Sequence, residues 1–130
     1  MYNERVMDHF SNPRNVGVLE EANAVGLEVN PVCGDSMRLF LRIEDNRILD
    51  ARFQTAGCGA AIATSSMSTE LIKGLTIEEA QALTKEDIED ALGGLPGNKI
   101  HCSMLAVDAI EAALRDYRSR QGGAASSQTR

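Results

Sequence analysis

The side chains best suited to metal chemistry in this sequence are three cysteines, Cys33, Cys58 and Cys102. An odd number of thiols excludes a fully paired disulfide framework, and a chain of 130 residues can bury a core without one. None of the three belongs to a C-x-x-C pair, which excludes a zinc-ribbon knuckle and a thioredoxin-type redox motif. Each has a glycine or a predicted helix start beside it, whereas a core cysteine usually lies within a periodic apolar segment. All three are therefore candidate functional residues.

Two further side chains near the cysteines are potential metal ligands. Asp35 lies two residues beyond Cys33, and His101 directly precedes Cys102. Thiolates are soft ligands that select zinc, copper(I) or iron–sulfur clusters. Three thiolates with one carboxylate or imidazole fit a four-coordinate zinc ion or the four terminal ligands of a [2Fe–2S] cluster. The spacing alone does not choose between the two.

Hydrophobic periodicity predicts the elements that must position these residues. A strand is predicted at 25–29, and two alternating runs joined by a polar turn at 44–47 predict an antiparallel hairpin. One face of this hairpin is predicted to carry the apolar residues and one threonine, namely Met37, Leu39, Leu41, Ile43, Leu49, Ala51, Phe53 and Thr55. Helices are predicted at 3–10, 59–74, 76–83 and 84–92, and a long amphipathic helix from residue 103.

These elements place the candidate ligands at junctions. Cys33 and Asp35 precede the hairpin, Cys58 follows it, and Cys102 begins the last helix. If the helices cover one face of the sheet, all of these residues can converge at one end of the sheet. A helix N-terminus favours a negative charge, so we expect a lowered pKa for the Cys102 thiol. His9, in the first helix, is expected to be a surface or capping side chain.

Composition and charge exclude several classes of function. Lys and Arg total 13 against 19 Asp and Glu, which gives a net charge of −6 and argues against binding to nucleic acid. No apolar run approaches the ~20 residues of a membrane span, and the N-terminus lacks the apolar stretch of a secretory signal. We expect a soluble, cytoplasmic protein with a single domain over 1–120 and a flexible tail over 121–130.

Five ordered blocks of sequence are typical of one known family. They are HFSNPRNVG at 9–17, NPVCGD at 30–35, FQTAGCGAAIA at 53–63, TELIKG at 69–74 and KIHCSMLA at 99–106. On these blocks the chain resembles, from about residue 2 to residue 118, the IscU-type (NifU N-terminal-like) iron–sulfur cluster assembly scaffolds. The resemblance implies an α+β fold: a three-stranded antiparallel sheet with about five helices packed on it. It also implies a carrier protein rather than an enzyme.

The resemblance implies roles for individual residues. Cys33, Cys58 and Cys102 would be thiolate ligands of a transient [2Fe–2S] cluster, with Asp35 or His101 as the fourth ligand. A cysteine desulfurase would deliver sulfur as persulfide, with Cys102 as the acceptor, and iron would be added before the cluster passes to acceptor apoproteins. Lys99 occupies the place of a lysine associated with the site. Zinc would occupy this site when no cluster is present.

One loop departs from the family pattern. Many bacterial relatives carry Leu-Pro-Pro-Val-Lys before the His-Cys pair, and a dedicated Hsp70-type chaperone recognises it. This chain reads LPGNK at 95–99, without the second proline and the valine. Their loss removes the extended, apolar centre that such a chaperone would hold. We therefore expect scaffold function, and we do not extend chaperone-assisted release from the family to this chain.

Two other functions fit the same cysteines. A structural zinc protein would be unfolded without its metal, and the amphipathic segments of this chain look sufficient for a core on their own. A thiol enzyme, such as a sulfurtransferase or a peroxidase, would need one indispensable thiol and would turn over without iron. Reconstitution with iron and a source of sulfur distinguishes these two functions from a cluster scaffold.

Overall fold

A computed structural model describes residues 2–31 and 34–125, with side chains described as far as residue 121. The described chain is α+β, as expected, with a three-stranded antiparallel sheet in the order β1-β2-β3. The strands are β1 (Ala24–Val29), β2 (Ser36–Glu44) and β3 (Arg47–Ala56). The helices are α1 (Glu4–Ser11), α2 (Gly59–Ile72), α3 (Ile77–Gln81), α4 (Lys85–Ala91) and α5 (Ile100–Ala125), and a 3-10 turn over Gly97–Lys99 precedes α5. Cys33 lies outside the described residues.

The hairpin forms as its alternation predicts, with one exception at its turn. The predicted core residues of β2 are all buried, and Ala51 and Phe53 of β3 face them. Leu49, however, is 53% exposed, and Ile48 is fully buried in its place. A β-bulge between Arg42 and Ile43 shifts the register here, because Arg42 pairs with Asp50 whereas Ile43 pairs with Ile48. The extra residue reverses the facing of the side chains, so the prediction that Leu49 shares the face of Ala51 and Phe53 was wrong.

Helices cover the buried face of the sheet. Helix α5 packs across β1 and β2, and α2 packs against β3. The approach of α5 to β1 is close at Gly26, where an added Cβ would lie 2.5 Å from the carbonyl oxygen of Ala109. Aliphatic side chains from the sheet and helices form one core cluster, and Cys102 belongs to a separate small cluster with Ala60 and Ala61. The main core of the described residues is therefore built without Cys58 and Cys102.

Helix boundaries follow the capping signals more closely at the starts than at the ends. Thr76 and Thr84 each form a capping box at the predicted helix starts. Helix α3 ends at Gln81, two residues short of the predicted end. Helix α5 begins at Ile100 rather than Ser103 and continues to residue 125, so the first part of the expected tail is helical. Residues 126–130 lie outside the described residues.

No helix in the described ranges has both the length and the hydropathy needed to cross a bilayer.

Candidate metal centre

Antiparallel pairing brings the candidate ligands to one end of the sheet. The first residue of β2, Ser36, pairs with the last residue of β3, Ala56, so Asp35 and Cys58 lie just beyond the same end. Cys58 is the N-cap residue of α2, with extended backbone. Cys102 comes from the first turn of α5. Three separate elements therefore supply one donor each.

The three donors form a compact group. The Sγ atom of Cys58 is 3.9 Å from Sγ of Cys102 and 3.9 Å from Oδ2 of Asp35. One ligand atom from each residue lies within 4.8 Å of the other two. Both cysteines are free thiols, as a disulfide would need an S–S distance of about 2.05 Å. Two thiolates bound tetrahedrally to zinc at about 2.3 Å would be about 3.8 Å apart, so the observed spacing suits a shared metal.

Burial differs within the group. Asp35 and Cys58 are partly exposed, whereas Cys102 is only 1% exposed. The site therefore has a closed side at the start of α5 and an accessible side at the carboxylate. A metal bound here could be reached from solvent at Asp35, where an incoming ligand would compete with the carboxylate.

His101 reaches only part of the group. Its Nε2 atom is 3.7 Å from Sγ of Cys102, and its side chain is partly buried. The three-donor group itself consists of Asp35, Cys58 and Cys102. The sequence left Asp35 and His101 as alternative fourth ligands, and in the described structure Asp35 is the one beside both thiols.

Lys99 provides positive charge at the site. The negative charge that Cys58 carries when ionised raises the pKa of the Lys99 ammonium, with smaller effects from Tyr2 and Cys102. The 3-10 turn before α5 holds this lysine beside the thiols. The Lys99 ammonium in turn acts to lower the pKa of the Cys102 thiol.

The expectation of a lowered pKa for Cys102 is wrong for the metal-free site. Burial, together with the neighbouring Cys58 and Asp35, raises the pKa of this thiol to about 12. Lys99 acts in the opposite direction and does not compensate. Loss of hydration therefore outweighs the favourable helix N-terminus. The sequence could place Cys102 at a helix start but could not show that the side chain points inward.

The expectation that His9 is a surface or capping side chain is also wrong. His9 is only 8% exposed, and its Nδ1 lies 2.7 Å from the Ser66 hydroxyl. The same hydroxyl oxygen accepts a hydrogen bond from the backbone N–H of Arg14. The small, hydroxylated middle of α2 allows α1 to pack closely, which buries the imidazole. Burial lowers the pKa of His9, and the charge of Arg14 lowers it further.

The surroundings of the site on the α1 side were not predicted from the sequence. Tyr2 packs against the small cluster that contains Cys102. An open cleft of about 280 Å³ next to Lys99 is lined by Tyr2, Met7, Pro96 and Asn98. Tyr2 and Met7 are far from the cysteines in sequence, so only the packing of α1 beside the loop at 95–99 reveals them.

The chain matches a known protein family. The family model described as NifU-like N terminal domain matches residues 1–124. The chain is 57% identical to "Iron-sulfur cluster assembly scaffold protein IscU 1" of Archaeoglobus fulgidus, over 94% of this chain and 80% of the relative. It is 54% identical to "Iron-sulfur cluster assembly scaffold protein IscU" of Aquifex aeolicus, over 93% of this chain and 78% of the relative.

A solved structure supports the fold. The N-terminal part of a nitrogen-fixing NifU-like protein from Brucella abortus superposes with a TM-score of 0.74, covering 91% of this chain and 94% of that one. Because the two sequences are only 20% identical, this likeness concerns the fold alone.

Proposed function

Because the chain belongs to the family of NifU-like N-terminal domains, we propose that it is a scaffold on which iron–sulfur clusters are assembled and from which they pass to acceptor apoproteins. The observation that carries this proposal is the group of Asp35, Cys58 and Cys102, with ligand atoms within 4.8 Å of one another. The protein acts as a carrier rather than an enzyme, and the cluster is its cargo.

The cargo is a [2Fe–2S] cluster held by Cys33, Cys58 and Cys102, with Asp35 or His101 as the fourth ligand. Thiolates suit both iron–sulfur clusters and zinc, so zinc occupies the site in the cluster-free form. The accessible carboxylate of Asp35 is the point at which a thiol of an acceptor protein displaces the scaffold. A harder carboxylate is a weaker partner for the cluster than a fourth thiolate would be.

Sulfur arrives from a cysteine desulfurase. The Cys102 thiolate attacks the terminal sulfur of the desulfurase persulfide, the S–S bond of that persulfide breaks, and the desulfurase thiolate leaves. Lys99 supplies positive charge beside the reacting sulfur. Reduction of each transferred sulfur to sulfide takes two electrons from an external reductant. Because Cys102 is buried in the metal-free site, the transfer requires access that Cys58 already has.

Anaerobic reconstitution tests the scaffold function. The chain is incubated with ferrous iron, cysteine, a desulfurase and a thiol reductant, and visible absorption is recorded. We expect the charge-transfer bands of a [2Fe–2S] cluster, and their transfer to an apo-ferredoxin when that protein is added. A chain that binds only zinc, or that turns over sulfur without iron, would contradict the proposal and support one of the two rival functions.

Mass spectrometry tests the route of sulfur. After incubation with desulfurase and cysteine alone, we expect added sulfur on Cys102 and none in the Cys102→Ser variant. Equal labelling of that variant would assign the acceptor role to Cys58 or Cys33. The matched variant Cys58→Ser, which removes the more exposed thiol of the described pair, should still be labelled.

The remaining partners and the location follow from the same proposal. The protein works in the cytoplasm with its desulfurase and acceptors. The loop at 95–99 forms a 3-10 turn over Gly97–Lys99 rather than an extended segment, so release through a dedicated Hsp70-type chaperone is not part of the proposal.

A further inference from the structure

Gly57 lies directly against the Asp35 carboxylate. The two residues face each other one step beyond the last pair of the β2–β3 ladder, Ser36 with Ala56. A Cβ atom on Gly57 would be 2.8 Å from Cγ and 3.0 Å from Oδ1 of Asp35. These separations are well below the ~3.5 Å at which non-bonded carbon atoms meet. The carboxylate therefore occupies space that any other residue at position 57 would fill.

The backbone conformation of Gly57 does not require glycine. Its φ is outside the positive range that five other glycines of the described chain adopt. Room for a neighbouring side chain is the remaining reason for glycine at this position. Oδ1 of Asp35 points towards Gly57 while Oδ2 lies 3.9 Å from Sγ of Cys58. The same carboxylate thus rests on Gly57 and contacts the metal-binding thiol.

We propose that Gly57 is a positioning residue, whose missing side chain allows the Asp35 carboxylate to lie beside Cys58 and complete the donor group. The inference rests on the proposed function only in taking Asp35 as a ligand. A side chain at position 57 would be pressed against Ala61 of α2 as well, at 3.0 Å from its Cβ. It could not move away from the carboxylate towards the helix, so the partly exposed Asp35 would turn out to solvent.

Crystal structures of two metal-free variants test the placement directly. Gly57→Ala should move the Asp35 carboxylate away from its 3.9 Å contact with Cys58. Gly59→Ala is the matched control on the other side of the same cysteine. The three atoms nearest to its Cβ would all belong to the ring of Phe10, the first at 3.3 Å, and Phe10 is 42% exposed and able to shift. A carboxylate that keeps its place in Gly57→Ala would overturn the proposal.

Titration with Co²⁺, followed by its d–d absorption, tests the consequence. Gly57→Ala should bind Co²⁺ about tenfold more weakly than wild type, which is typical when the residue supporting a metal ligand is changed. Gly59→Ala should bind as wild type does. The double variant Gly57→Ala, Asp35→Ala should bind no more weakly than Asp35→Ala alone, because both substitutions remove the same contact. Additive losses would mean that Gly57 acts independently of Asp35 and would overturn the proposal.

The double variant also keeps the proposal testable if Gly57→Ala fails to fold. If Gly57→Ala alone does not fold, the double variant should fold, because it lacks the two Asp35 atoms that crowd position 57. A double variant that is equally unfolded would assign the crowding to Ala61 and overturn the proposal. Failure of the wild-type chain to assemble a cluster would contradict the scaffold function, while the crystal structures would still decide the placement of Asp35.

Discussion

At the turn end of the β2–β3 hairpin, short hydrogen bonds join the turn to α3 and the residues just before it, whereas at the other end the side chains of three candidate metal ligands meet through long contacts. Asn46 adopts positive φ in the turn and its side chain donates to Glu78. The backbone on both sides is also paired, with the N–H of Ile77 bonded to the Asn46 carbonyl and that of Ile48 to the Leu75 carbonyl. The turn is therefore joined to α3 through both backbone and side chain.

At the ligand end the backbone is also hydrogen-bonded, with the N–H of Asn30 bonded to the Asp35 carbonyl and that of Ile62 to the Cys58 carbonyl. The side-chain contacts there are long, namely the two 3.9 Å separations from Cys58 and the 3.7 Å separation between Cys102 and His101. Weak thiol contacts stabilise little, so these side chains retain donor capacity for a metal. One hairpin is therefore held by short hydrogen bonds at its turn and presents candidate metal ligands at its open end. Substitutions at the two ends should therefore separate stability from metal binding.

The largest effect is expected when both described thiols are removed. The double variant Cys58→Ser, Cys102→Ser should bind no detectable Co²⁺ and assemble no cluster, because serine is not a soft ligand. The main aliphatic core does not include either cysteine, so the variant should remain folded. Co²⁺ absorption and far-ultraviolet circular dichroism measure the two properties. Loss of the fold together with the metal would indicate a structural metal site and would remove the contrast between the two ends.

A smaller, kinetic effect is expected at the accessible ligand. Asp35→Cys replaces a displaceable carboxylate by a fourth soft thiolate, so its [2Fe–2S] cluster should resist chelators. Transfer to an apo-ferredoxin should slow by about tenfold, the scale of change that altered coordination produces at metal sites. Absorption during transfer gives the rate. Equal rates and equal cluster loading in wild type and variant would leave Asp35 with only a structural role.

The turn end should respond in stability alone. In Asn46→Ala, alanine must adopt the positive φ of position 46 without a polar side chain that can hydrogen-bond locally. The substitution also removes the bond to Glu78. We expect a loss of about 1–2 kcal/mol in the free energy of unfolding, measured with urea. Asn46→Gly, which tolerates the same φ, should lose less. Co²⁺ affinity should be unchanged in both variants, and a large loss of affinity would show that the two ends are coupled.

The smallest effect concerns acid stability at the α1–α2 contact. The pKa of His9 in the folded protein is lowered from 6.5 by burial and by Arg14. The stability that comes from neutral His9 is thus complete above the unfolded-state pKa and is lost as pH falls from there towards the lower, folded-state pKa.

The variant His9→Gln removes this titration. Its urea midpoint should fall less than that of wild type between about pH 7 and about pH 5.5. The groups that face His9 are Asp8, Arg14, Glu70 and the Ser66 hydroxyl, and all of them remain in the variant. Parallel midpoints in the two proteins would show that His9 does not contribute to the pH dependence.

Local sequence was sufficient for most of the fold. Alternation in β2 and the helix starts at Thr76 and Thr84 each depend on neighbouring residues, and the structure contains them as predicted. The bulge that exposes Leu49 was not predictable in this way. It depends on how two paired strands accommodate one extra residue, and the alternation within one strand does not indicate its register with the other.

The ligand types were likewise determined by the sequence, and their arrangement was not. Three cysteines at junctions, Asp35 and His101 could be read directly, together with the family that their blocks resemble. Tertiary packing decided that Asp35 rather than His101 lies beside both described thiols, and it decided how deeply Cys102 is buried. It also accounts for the glycine at position 57. The physical reason is that a metal site depends on distances between elements remote in sequence, whereas periodicity and capping report only on residues a few positions apart.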